Sequence, residues 1–195
     1  VADSFNRRLE RDHSTGDIAH NLASSVVWDL PIGSGRAMQP RGVWGALVNG
    51  WTVASMMTLQ SGVPVAVTQA TNFNAFAGFG TQRPNLVGDP GLPRSQRSPT
   101  RWFNTDAFAL APIFTLGSAS RNPVRGPGYR NVDLSLIRRL RLSGERRIEL
   151  RAEVFNLLNT PAFGAPSGVF GAANFGTITS ALDPRVVQLA AKILI

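Results

Sequence analysis

The chain has no cysteine, a single lysine (Lys192), one tyrosine and two histidines among 195 residues. Without cysteine there are no disulfide staples and no thiolate metal sites, and any redox compartment is compatible with the fold. His13 and His20 lack the spacing of a helical or hairpin ligand pair, so no metal is expected. No stretch approaches the ~20 apolar residues that a membrane helix requires, which leaves a membrane role only to strands or surface attachment. A Gly-x-Ser-x-Gly elbow and a Gly-x-x-x-x-Gly-Lys phosphate loop are both missing. Gly33-Ser-Gly35 and Gly126-Pro-Gly128 read as turn glycines. With no catalytic constellation and no cofactor motif, an enzyme is the least favoured class. The first residue is Val and no signal peptide precedes the strands, so the chain reads as a mature piece or a fragment.

What is present favours strands. Nineteen glycines and thirteen prolines argue against a helical bundle and for strands joined by turns. Hydrophobic residues make up 43% of the chain, enough for a buried face. The net charge of +8 is carried by arginine, and three readings compete: nucleic acid, anionic lipid headgroups, or carboxylates within a polar interior. Arginines are spread along the chain, and the densest run, Arg138 to Arg151, is interleaved with Glu145 and Glu149. That pattern disfavours a nucleic-acid surface, which would show a cleaner basic patch.

Alternation with period two marks five strands, near 19–30, 50–67, 131–142, 147–157 and 185–195. In the last, Val187, Leu189, Ala191, Ile193 and Ile195 share one face and Val186, Gln188, Ala190, Lys192 and Leu194 the other. A short amphipathic helix through Val186, Leu189, Ala190, Ile193 and Leu194 fits the same spacing. Leu22, Ser24, Val26, Trp28 and Leu30 form one face of the first strand. Trp51, Val53, Ser55, Met57, Leu59, Val63, Val65 and Val67 form one face of the second, which is long for a soluble strand. Val132, Leu134, Leu136, Leu140 and Leu142 face one way in the third, with Arg138 interrupting; near a membrane edge its long stem can snorkel to headgroups. In the fourth, Ile148, Leu150, Ala152 and Val154 alternate with charged residues, although Ile148, Ala152 and Phe155 would also form a helical stripe. Ser143-Gly144-Glu145 is a tight hairpin signal that favours the strand.

The connections are unequal. Residues 143–146 make a very short turn and 31–49 an intermediate one, whereas 68–130 and 158–184 are long and rich in Gly, Pro, Asn and Phe. The tract Asn72–Gly80 reads as a mobile loop. Following an antiparallel chain, both long loops fall at one end of the strands and both shorter connections at the other. Such sorting is the mark of an outer-membrane barrel, with long extracellular loops and short periplasmic turns. Trp28 and Trp51 then fall at one level, as interface aromatics do; Trp44 and Tyr129 are further girdle candidates.

The polar positions form a charge ladder toward a barrel lumen: Asp133, Arg139, Arg141, Glu149, Arg151 and Glu153. Glu149 and Glu153 share a face but stand roughly 13 Å apart along a strand, too far for a glycosidase pair. Arg139 and Arg141 are their expected cross-strand partners.

Several phrases in order carry a family resemblance: Trp51-Thr-Val-Ala-Ser-Met-Met-Thr-Leu-Gln-Ser-Gly-Val-Pro, Arg83-Pro-Asn-Leu-Val-Gly-Asp-Pro, Trp102-Phe-Asn-Thr-Asp-Ala-Phe, Arg121-Asn-Pro-Val-Arg-Gly-Pro-Gly-Tyr-Arg-Asn-Val-Asp-Leu-Ser-Leu, Arg151-Ala-Glu-Val-Phe-Asn-Leu-Leu-Asn-Thr-Pro-Ala-Phe-Gly and Phe175-Gly-Thr-Ile-Thr-Ser-Ala-Leu-Asp-Pro-Arg. Together the chain resembles the C-terminal barrel strands of TonB-dependent outer-membrane receptors, closest to the Oar-like group that often carries a carboxypeptidase-regulatory-like domain. The resemblance implies an all-β, antiparallel up-and-down transmembrane barrel segment spanning 1–195 in the bacterial outer membrane, with the plug domain and earlier strands lying outside it. It implies ligand uptake, with the lipid bilayer, the rest of the barrel and its plug, TonB and the barrel-assembly machinery as partners. Such barrels usually end in an aromatic residue that the assembly machinery reads, and this chain ends in Ile195. The alternative is a soluble β-rich, Arg-rich module for polyanions. An isolated sheet with two open edges is expected to aggregate in plain buffer.

Overall fold

The structure is a computed structural model and describes residues 7–33, 36–78, 80–142, 144 and 146–194. It divides into a strand unit (Asn21–Leu59, Arg130–Pro161, Asp183–Ile195) and a loop unit (Val1–His20, Gln60–Tyr129, Ala162–Leu182).

Five long strands make the strand unit's sheet: β1 (Asn21–Asp29), β2 (Trp51–Gln60), β3 (Tyr129–Arg141), β4 (Arg147–Phe155) and β5 (Val186–Leu194). Each lies beside its neighbour in this series, so the sheet is a meander. β3–β4 and β4–β5 are antiparallel. Between β1 and β2, the Leu30 amide bonds Trp51 O at one end (3.0 Å) and the Ser61 amide bonds His20 O at the other (2.9 Å), which is also antiparallel pairing. Four of the strands have 9 or 10 residues, the length that crosses a bilayer when tilted (about 9–11 residues). The segments that also fitted helical stripes, 147–157 and 185–195, are strands. Their neighbours supply ladder bonds that a helix would forgo, and alternation lets each keep one apolar face. Ile195 lies outside the described residues, as do Ser34, Gly35, Ser143 and Glu145 of the two glycine turns. The β3–β4 turn is closed by the Leu142 amide on Arg146 O, 3.0 Å.

The segment 50–67 departs from its expected single strand. β2 stops at Gln60, because Gly62 passes so close to Gly126 that a Cβ there would lie 1.9 Å from the Gly126 carbonyl oxygen. Beyond this crossing, Pro64–Val65 pairs antiparallel with Val124–Arg125, and Thr68–Gln69 pairs parallel with Val169–Phe170. Val63, Val65 and Val67 therefore belong to the loop unit rather than to the wall.

A pair of asparagines explains how three strand ends are tied. Asn156 and Asn159 adopt left-handed φ values of 51° and 49°, a region asparagine tolerates better than other non-glycine residues. The Asn156 amide donates to Asp133 Oδ1 of β3 (2.9 Å), while Asn159 Oδ1 accepts from the Arg185 amide beside β5 (3.1 Å).

Among the described residues every buried hydrophobic side chain lies in the loop unit. Val67, Phe103, Ala107, Phe108, Ala119 and Val124 form its core, with Phe103, Phe108, Phe170 and Phe175 packed edge to face at 5.1–5.8 Å. Gln82 is pinned at its centre: its amide nitrogen donates to the carbonyls of Ala111, Pro112 and Thr115 (3.3, 3.0 and 2.7 Å), and its oxygen accepts from the Phe73 amide (2.9 Å). The Asn72–Gly80 tract, expected to be mobile, is anchored by buried Asn74. That side chain donates to Thr115 O (2.6 Å) and accepts from the Phe114 amide (2.9 Å).

The strand unit is the reverse. Every described residue of β1 and β5, the two edges of the open sheet, is exposed. One element in it was not foreseen, the short helix α1 (Gly42–Val48) between β1 and β2.

Candidate functional site

The sheet has two chemically distinct faces, and the register determines them. Across β4 and β5, Val187 faces Val154, Leu189 faces Ala152, Ala191 faces Leu150 and Ile193 faces Ile148. Across β3 and β4, Leu134 faces Val154, Leu136 faces Ala152 and Leu140 faces Ile148. Over these rows the face is hydrocarbon apart from Arg138, which stands opposite Leu150. The Arg138 guanidinium lies over the Trp51 ring, 5.6 Å from its centre, an arrangement that offsets part of the cost of a cation on an apolar surface. Trp51 Nε1 donates to Leu47 O of α1 at 2.9 Å. Trp28 is exposed near the same end of the neighbouring β1.

The opposite face gathers the charges. Glu149 is the hub, 6% exposed. It accepts from Arg139 Nε (2.9 Å) and from Arg151 Nε (2.6 Å), and Lys192 of β5 faces it across the strand pair. Glu153 faces Ser135 and Gln188 and accepts a 3.4 Å hydrogen bond from Ser135 Oγ. Thus Arg139, Glu149 and Arg151 come together, as the alternation leads one to expect. Arg141 does not join them: it stands opposite Arg147, because the hairpin places it one pair closer to the turn. Asp133 is also apart, since its carboxylate caps Asn156 at the far end of β3.

In the loop unit, the segment before β1 is strapped down by polar contacts that the sequence reading missed. Arg83 pairs with Glu10 and Arg125 with Asp17. The Asn122 amide donates to Asp12 Oδ2 (2.7 Å), and its side chain donates to His13 O (2.6 Å). The hydrogen bond and charge of Arg125 hold the Asp17 carboxyl below the usual carboxylate range. Burial pushes Asp12 up, but bonds from Ser120, Asn122 and His13 outweigh it and leave its carboxyl lowered too. No local periodicity announces such contacts, because the partners lie about 70 to 110 positions apart.

Ion pairs among the described residues also include Arg101 with Asp106 and Arg36 with Asp29. Among the described residues no cluster of three or more His, Asp or Glu could hold a metal, and no helix is long and apolar enough to cross a membrane.

What the strand arrangement can do is separate hydrocarbon from water. Leu22, Val26, Val187, Leu189 and Ile193 are all more than half exposed, and so bury too little surface here to stabilise their strands in water. A family model described as "Outer membrane beta barrel domain" matches residues 1–188. No curated protein and no solved structure matches the chain.

Proposed function

The chain belongs to the outer-membrane β-barrel domain family, and from that premise we propose that it is the C-terminal wall of a TonB-dependent receptor of the Oar-like group, acting in ligand uptake. The outer membrane is its location, and bilayer lipid is a partner. On this reading the apolar face carrying Leu134, Leu136, Leu189 and Ile193 meets hydrocarbon, and the face carrying Arg139, Glu149 and Arg151 looks into an aqueous interior. β1 and β5 are not closed on one another, so preceding strands of the same barrel complete the wall, and a plug fills it.

One observation carries the receptor reading beyond a plain barrel. The connections from β2 to β3 and from β4 to β5 leave the same end of the meander, and they contribute to one compact body with its own aromatic core. Two long connections that build a folded body suit capture of a scarce ligand, and in outer-membrane barrels the longer loops are the extracellular ones. The ordered phrases quoted above point the same way.

The test is to crosslink the full-length protein in cells to TonB through photoreactive residues placed in its plug. An energy-dependent crosslink supports uptake. Recovery of the protein in the outer membrane with neither a plug nor a TonB crosslink would leave a barrel of another kind. The soluble polyanion-binding alternative predicts the protein in the soluble fraction instead.

A further inference from the structure

Near the β3–β4 hairpin, the charged face holds more positive charge than its own carboxylates offset. The register sets three rows across β3, β4 and β5: Arg141–Arg147–Leu194, Arg139–Glu149–Lys192 and Ile137–Arg151–Ala190. Five cations thus share this stretch with one carboxylate. Both oxygens of that carboxylate are engaged, since Glu149 Oε2 accepts from Arg139 Nε and Oε1 from Arg151 Nε. The terminal guanidinium nitrogens of both arginines make no hydrogen bond among the described residues. The side chains of Arg141, Arg147 and Lys192 are exposed, and among the described residues they form no hydrogen bond or ion pair. Arg141 stands directly opposite Arg147, and like charges so placed destabilise a strand pair. The carboxylates further along the same face are occupied: Glu153 accepts from Ser135 Oγ and Asp133 from the Asn156 amide.

Another strand of the wall cannot supply the missing negative charge. β3 lies between β2 and β4, and β4 between β3 and β5, so both flanks of the arginine-bearing strands are filled. A counter-charge has to stand over the face. We propose that this patch docks an extended acidic segment of the plug, running along β4 with Asp or Glu at alternate residues. One carboxylate bridges Arg141 and Arg147, and the next lies between Arg139 and Lys192. The inference rests on the receptor reading above, which puts a plug inside the wall. The spacing fits: rows on one face of a strand recur about every 7 Å, as do alternate residues of an extended segment. Two observations select polypeptide. The patch is on the face opposite the one that meets hydrocarbon, which removes lipid headgroups. The cations span three rows of an open sheet, whereas a small ligand's site is concave.

The test treats the full-length protein in isolated outer membranes with a water-soluble carbodiimide, which joins a carboxylate to a lysine amine without a spacer. Lys192 is the one lysine of these 195 residues. Joined peptides are identified by mass spectrometry after digestion. The expected product links Lys192 to an Asp or Glu of the plug, and Arg147→Lys adds a link to a carboxylate two residues away in the same segment. The yield at Lys192 falls about ten-fold or more in the double variant Arg141→Glu/Arg147→Glu, because like charges then oppose docking. Links from Lys192 only to Glu149, which faces it, or to other carboxylates of the wall would overturn the seat. So would a link to a separate protein, or a yield unmoved by the charge reversal. If the parent still fractionates with the outer membrane and crosslinks to TonB, such a result sinks the seat alone. If the parent is absent from the membrane or has no plug, the reading beneath it falls as well.

Discussion

Replacing Leu189 with arginine separates a membrane wall from a soluble sheet. Leu189 is fourth of nine residues in β5, opposite Ala152, and 78% exposed. In water, an exposed strand residue of this kind tolerates arginine within about 0.5 kcal/mol. In a bilayer, a cation near the midplane costs about 2–4 kcal/mol. Full burial of a leucine is worth about 1.5–3 kcal/mol, so the surface it now presents adds about 1–2 kcal/mol to the loss. Together the substitution should destabilise the folded barrel by about 3–6 kcal/mol, or about two to four powers of ten in the folding equilibrium. The adjacent Gln188→Arg, which faces Glu153, should change stability little or raise it slightly. The assay is a guanidinium titration of the full-length protein folded in phosphatidylcholine vesicles, followed by heat-modifiable migration. Equal midpoints for the two variants, within about 0.5 kcal/mol, would refute the assignment of faces.

Other predictions concern the loop unit and the strand ends. Gln82→Leu removes the partner of the Phe73 amide and of carbonyls at Pro112 and Thr115; two or three lost buried bonds at about 1–2 kcal/mol each should appear as faster hydrogen exchange across 70–78 and 111–116. Unchanged exchange would mean that Gln82 is not a pin. Gly62→Ala places a methyl 1.9 Å from Gly126 O and should cost about 2 kcal/mol or more, read as earlier protease cleavage around 61–64; a neutral outcome would deny the close crossing. The Asp17 carboxyl is held low by Arg125, so the strap before β1 is fully stabilised above the unfolded carboxylate value of about 3.9. That contribution is lost as pH falls further, through the lowered folded value. Proteolysis near residues 7–20 should therefore rise in acid, and Asp17→Asn should show the raised rate already at pH 7. The same acid sensitivity in Asp17→Asn as in the parent would contradict this.

The strands were legible because alternation is local and survives in short windows. Asn21–Asp29, Arg147–Phe155 and Val186–Leu194 sit within their expected spans, and the turn glycine and the charged alternation chose strand over helix. The end of β2 was not legible: the apolar alternation runs on through Val63, Val65 and Val67, and only the contact between Gly62 and distant Gly126 breaks it. The pairing of Arg139 with Glu149 followed from parity and a short hairpin. Parity alone could not say that Arg141 would face Arg147, because that depends on where the hairpin turns. Asp133 looked like another rung, yet its role at Asn156 depends on a left-handed turn that no periodicity reveals.

The central claim is that hydrocarbon and water meet opposite faces of one strand, and these 195 residues hold no cysteine that would compete for a label. Single cysteines placed in turn at positions 186 to 194 of the full-length protein, spin-labelled in vesicles, report collision with oxygen in lipid and with a nickel chelate in water. The account predicts strict alternation, with 187, 189, 191 and 193 oxygen-accessible and 188, 190 and 192 reached by the chelate. A uniform profile along the strand, or a period near 3.6, would contradict it.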